Sequence, residues 1–128
     1  VMLRAEWMYD HYLKSSNYFM NILNAADTVH FSSRQFRGIT YLKEVAENIE
    51  RVIALPGGAY NFGSETEKSM YEITRGFLAL LGKDLRLEDA PARHNLWMNC
   101  EKARRFGVTF STAEEGLVRC AADYGLLH

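Results

Sequence analysis

Val1-Met2-Leu3-Arg4-Ala5-Glu6-Trp7-Met8-Tyr9, at one end of a chain of 128 residues, governs how the rest is read. The stretch is apolar with Arg4 and Glu6 interspersed. It predicts a buried strand leading into a polar loop over Asp10 to Ser16. A core strand there is an odd place for a gene to begin, and the residues are expected to be the later part of a longer protein.

Working outward, Asn17 is placed to cap a helix over Tyr18 to Ala26, where Phe19, Ile22, Leu23 and Ala26 recur at helical spacing. Thr28 to Phe31 alternates like a short strand, and Ser32 to Gly38 is an arginine-rich loop. Lys43 to Leu55 predicts an amphipathic helix with Val45, Ala46, Ile49, Val52 and Ile53 on its apolar face. Pro56-Gly57-Gly58 stops it, and Ala59 to Phe62 follows as a strand. Ser69 and Glu72 have the capping-box spacing for a helix running to Leu81, with Gly82 as its stop and Ile73, Phe77, Leu80 and Leu81 as its stripe. Leu85 to Leu87 is a strand candidate, and Asn99 to Phe106 a short helix. A last helix opens on Ser111 with Glu114, or equally on Thr112 with Glu115, and carries Leu117, Val118, Ala121 and Tyr124. Strands alternating with helices predict an α/β fold with parallel pairing, in one domain over residues 1–128.

Composition bounds the function. Apolar residues make up 48% and charged residues 24%, the balance of a globular protein. A net charge of −1 gives no long-range pull toward nucleic acid or an anionic membrane. No apolar run is long enough to span a bilayer and no signal-like stretch is present, so the expected location is cytoplasmic. Cys100 and Cys120 are too far apart for a local metal knuckle and are read as buried free thiols. His11, His30 and His94 show no ligand spacing, so no metal site is expected. Lys102, Arg104 and Arg105 form a short basic cluster, read as a solvated helix face. No Gly-rich dinucleotide loop occurs, and no Tyr is followed four residues later by Lys.

A series of motifs in order then resembles one family, the dTDP-4-dehydrorhamnose reductases, which are extended short-chain dehydrogenases. Leu3 to Tyr9 is similar to their Leu-Arg-Thr-x-Trp-x-Tyr segment, and Gln35 to Thr40 to their Asp-Gln-x-Gly-x-Pro-Thr loop. Gly58 to Gly63 is similar to Gly-x-Tyr-x-x-Gly, and Ser69 to Glu72 to Ser-x-Tyr-Glu. Arg93 to Asn99, with Lys102, is similar to Arg-Pro-x-Asn-x-x-Leu-Asp-x-x-Lys. The departures are Asp10 for Gly, Arg34 for Asp, Arg37 for Gly, Ile39 for Pro, His94 for Pro and Asn99 for Asp. They bear on the identity of the sugar more than on the fold.

The resemblance implies the C-terminal, substrate-binding part of such a dehydrogenase, with late Rossmann strands but without the N-terminal dinucleotide-binding half. The intact protein would then be an oxidoreductase of dTDP-rhamnose biosynthesis, reducing a 4-keto deoxysugar nucleotide with NADP or NAD as cofactor. This chain alone would be inactive, with no catalytic residue and no cofactor of its own. The alternatives are a non-catalytic regulatory relative of the same fold, or a sugar-nucleotide epimerase or dehydratase.

The resemblance also implies substrate-binding roles for Trp7, Gln35, Arg37 and Arg93. Trp7 would pack against the deoxysugar, a flat apolar face with one N–H donor suiting a sugar ring; equally it could cover the end of a sheet. Arg34 or Arg37 could grip the diphosphate, or be surface charge. Arg93 would sit near the nucleotide end, or pair with Asp89 or Glu88. Tyr18 and Phe19 could sandwich a base, although Phe19 lies on the core stripe. The expected partners are the nucleotide sugar and a second copy of the chain. Strands at Val1 and Tyr60 that lack their Rossmann partners would leave edges open to a homo-oligomer or strand-exchanged dimer. A monodisperse monomer in light scattering at low and high concentration would contradict this.

Overall fold

The opening stretch folds as two strands rather than one: β1 (Met2–Ala5) and β2 (Trp7–Tyr9). The computed structural model describes residues 2–5, 7–11, 17–91 and 98–127. There follow α1 (Tyr18–Asn24), β3 (Thr28–Phe31), β4 (Ile39–Tyr41), α2 (Leu42–Ile53), β5 (Ala59–Phe62), α3 (Met70–Leu81), β6 (Arg86–Asp89), α4 (Glu101–Arg104) and α5 (Ala113–Asp123). The α/β alternation is as the sequence implies.

Among the described residues the strands form three two-stranded ladders, β1–β5, β2–β4 and β3–β6, all parallel. Met2 lies opposite Ala59, Trp7 opposite Ile39 and Thr28 opposite Arg86. Parallel strands ordinarily have both faces covered. Here β1 is largely open on one face, and Met2 is 63% exposed. The expectation of a buried strand is corrected accordingly: only Leu3 of β1 packs against a core cluster, while Met2, Arg4 and Ala5 are exposed.

The larger core lies between α3 and α5 on one side and β2, β4 and α1 on the other. Phe19, Tyr9 and Tyr41 stack in one column, with ring centroids 5.8 and 5.9 Å apart. Ile22, Ile39, Met70, Ile73, Phe77, Leu117 and Ala121 fill in around it. Gly116 lets α5 approach this column, since a Cβ there would stand 2.8 Å from the Tyr9 hydroxyl. A second cluster joins β5 to the α4 region through Leu55, Tyr60, Phe62, Ala103 and Val108.

The helix ends follow local chemistry. Asn17 accepts the Met20 N–H, and Ser69 accepts that of Glu72. The full capping box forms on Thr112 and Glu115, because the other reading's residues are engaged elsewhere: the Ser111 N–H goes to Glu44 and the Glu114 carboxylate takes the Thr66 hydroxyl. Gly82 takes the left-handed conformation that closes α3.

Two further expectations are corrected. β4 falls in a stretch to which the sequence assigns no element, since three residues carry too little pattern. And α2 does not bury its apolar stripe. Its fully buried residues are Glu44 and Asn48, with Val45 and Val52 half-buried; Ala46 and Ile49 are exposed and Ile53 is 84% exposed. At about 100° per residue, the buried side is turned roughly a quarter turn from the stripe. Polar anchoring sets that rotation. Glu44 Oε1 accepts the Ser111 N–H at 2.7 Å, and Asn48 both accepts the Thr109 N–H and donates to the Thr109 carbonyl. Val118 of α5 is likewise exposed rather than core. Neither cysteine is in a disulfide and both are buried, Cys100 at the N-cap position of α4, its thiol donating to the Gly63 carbonyl, and Cys120 within α5.

Candidate functional site

A cavity of about 300 Å³ opens where β2, the start of α1 and the end of β3 meet. Its walls are Trp7 and Met8, Asn17, Tyr18 and Asn21, and Phe31. Local sequence explains the convergence. Trp7 and Met8 ride on the short β2, which the β4 pairing fixes. Asn17 and Asn21 stand four residues apart and therefore share one side of α1. Tyr18 is held by its own hydroxyl, 2.8 Å from the Thr74 hydroxyl, and its ring meets Phe31 edge to face at 5.5 Å. Burial pushes the Tyr18 phenol above its ordinary value, and the Thr74 hydrogen bond opposes that. Tyr18 is thus a neutral, fixed wall and not a proton donor.

Among the described residues, the lining is three aromatic rings, two carboxamides and a thioether, with no charged side chain. Such a surface suits a ring that is apolar on its faces and polar on its rim, as in a sugar or a base. It offers no group for acid–base chemistry. Cys120, in the α5 core, is pushed up to about 12 by its burial, so its thiol is no nucleophile near neutral pH.

The expected site residues separate. Trp7 is half-exposed and borders the cavity. Arg37 is buried, and its guanidinium carbon lies 3.4 Å from the centroid of the Trp7 ring. The structure therefore brings these two together, but as a cation stacked on an indole. Gln35 is half-buried and does not line the cavity; its carbonyl accepts the Met70 N–H at the start of α3. Arg93 lies outside the described residues. Among the described residues, Asp89 takes both the N–H and the hydroxyl of Ser33, and Glu88 meets His30 and Arg86. Those Ser33 bonds hold the Asp89 carboxyl below the usual carboxylate range. Phe19 is fully buried in the stacked column. Lys102 donates to the Ala59 carbonyl over the Tyr60 ring, away from the cavity. Asn21, Met8 and Phe31 were not singled out from the sequence; the spacing of Asn21 from the capping Asn17 was the available signal.

Among the described residues, β4 runs directly into α2, and the β5-to-α3 connection contains a single glycine, Gly63. Neither of these two connections fits the Gly-rich turn that cradles a dinucleotide. Among the described residues, no cluster of His, Cys, Asp or Glu could hold a metal ion, and no helix is long and apolar enough to cross a membrane.

No family model and no curated protein matches the sequence. Solved structures do match. The dTDP-4-dehydrorhamnose reductase from Bacillus anthracis, in complex with NADP, superposes with a TM-score of 0.75 at 17% identity, covering 94% of this chain and 47% of that one. The reductase ortholog from Clostridium acetobutylicum gives 0.72 at 14% identity, covering 96% and 48%. UDP-N-acetylglucosamine 4-epimerase from Methanobrevibacter ruminantium gives 0.68 at 15%, covering 95% and 44%. The chain spans about half the length of these proteins. At such identities the likeness is one of fold, and the chain has the partial Rossmann-like α/β fold found over about half of a dTDP-4-dehydrorhamnose reductase.

Proposed function

We propose that this chain is the nucleotide-sugar-binding portion of a dTDP-4-dehydrorhamnose reductase-like protein. The observation that carries the reading is the aromatic and carboxamide cavity walled by Trp7, Tyr18, Phe31, Asn17 and Asn21, set in a fold shared with reductases of that class. Trp7 offers a face or edge to the deoxysugar, and the two carboxamides serve its hydroxyls. Gln35, Arg37 and Arg93 keep the roles that resemblance assigns them only as far as geometry allows. Gln35 shapes the loop, Arg37 supports Trp7, and Arg93 remains a candidate for the nucleotide end.

In the intact protein, NADP or NAD would deliver a hydride to the 4-keto carbon. The chain's own residues bind and orient the sugar and keep water from it. Calorimetric titration with dTDP-rhamnose and dTDP, with UDP-glucose as control, tests the reading. Selective binding of dTDP-rhamnose is expected. Equal affinity for UDP-glucose, or no binding by this chain and by the full-length protein alike, would overturn it.

A further inference from the structure

The cation behind the indole has no counterpart in the motifs that carry the resemblance, which have Gly where this chain has Arg37. The guanidinium stands 3.4 Å from the Trp7 centroid, in van der Waals contact, with Arg37 only 7% exposed. Trp7 borders the cavity and Arg37 does not. An indole has two faces. One carries the guanidinium, which leaves the other face and the ring edge for the cavity. The backbone explains the placement. Trp7 lies opposite Ile39, and Arg37 is two residues before Ile39, so it stands one step back along the neighbouring segment on the same side. β2 has three residues and pairs with β4 alone among the described residues, and half of Trp7 is open to solvent. The strand alone gives the ring little to lean on.

We infer that Arg37 is a positioning residue for Trp7: it clamps the indole from behind and acts on the sugar through that ring, without touching phosphate. A guanidinium suits the task because it is planar and weakly hydrated and so stacks where an ammonium does not. The inference rests on the proposed function for its ligand, but on the stack alone for its geometry.

The experiment uses the chain with Trp97→Phe, so that emission comes from Trp7 alone, and adds Arg37→Lys and Arg37→Met. Circular dichroism establishes that each variant is folded; the lysine variant keeps the charge and carries the test if the methionine variant unfolds. Without ligand, both variants are expected to lower Trp7 fluorescence anisotropy and increase quenching by acrylamide. Unchanged values, or full restoration by lysine, would overturn the inference.

Titrations then use methyl α-rhamnoside, dTDP and dTDP-rhamnose. The two sugars are expected to lose about tenfold in affinity in both variants, with dTDP unchanged. In a Trp7→Ala background the Arg37 substitutions should cost nothing more. Weakened dTDP binding rescued by lysine, or a further loss in the Trp7→Ala background, would place Arg37 on the ligand and refute the clamp. If neither the unsubstituted chain nor the full-length protein binds any of the three, the nucleotide-sugar reading falls and the emission measurements alone decide the clamp.

Discussion

Replacing Arg119 by methionine probes how α2 is fastened to α5. Arg119 donates to both Glu47 oxygens, at 2.9 and 2.8 Å, and its Nη1 stands 3.3 Å from Glu44 Oε2. The two carboxylates differ. Glu47 is exposed, and its arm contributes little and is screened by salt. Glu44 is 3% exposed, with the Ser111 N–H on its other oxygen. Removing one partner of a fully buried pair costs about 3–5 kcal/mol, because a charge is stranded. Arg119 is only partly buried and Glu44 keeps one hydrogen bond, so roughly half of that is expected, about 2 kcal/mol. Glu44→Gln alone should cost about 1 kcal/mol, since the amide oxygen still accepts from Ser111. The double variant strands no charge and should also cost about 1 kcal/mol, well short of the sum. Urea denaturation at unchanged slope reads each value. A double variant equal to the sum within about 0.5 kcal/mol would show that Arg119 does not compensate Glu44.

Gly116→Ala should destabilise by about 1 kcal/mol, because overpacking against the rigid Tyr9 hydroxyl outweighs the gain in helix propensity. Tyr9→Phe in that background should restore the loss, since the hydroxyl it removes is buried with no hydrogen-bond partner among the described residues; a thermal melt of the pair decides it, and failure of the rescue refutes the contact. Stability should also be flat above about pH 5 and fall in acid. Arg119 lowers the Glu47 pKa, Ser33 that of Asp89, Thr112 that of Glu115 and Tyr41 that of Asp123. Folded values below the unfolded ones stabilise above the ordinary carboxylate range, and that contribution disappears as pH falls through the depressed values. Urea midpoints that hold constant down to pH 3 would contradict this.

Where side chains speak to their own neighbours, the sequence was legible. Asn17, Ser69, Thr112 and Gly82 mark helix ends by chemistry confined to one turn. The rotation of α2 was not legible, because Glu44 and Asn48 are buried by partners more than sixty residues away, at Ser111 and Thr109. An amphipathic stripe says which face is apolar and not which face is covered. The cavity was half legible. Trp7 and Arg37 emerged from motif order, but that one stacks on the other depends on the β2–β4 register. Asn21 and Phe31 come to the same wall only through the packing of α1 against β2 and β3.

The pairing of the ladders has a consequence for how the chain comes together. Among the described residues, β1, β2 and β3 pair with β5, β4 and β6. Each of these ladders joins residues up to Phe31 to residues from Ile39 onward. β2 meets its partner once β4 has been made, β1 once β5 has, and β3 once β6 has. Folding is therefore governed by long loop closures, the slow regime for a chain of this size. A single break in the loop before Ile39 would cut all three ladders at once. Apart, neither piece would hold any of these ladders; on meeting, the two would supply both strands of each.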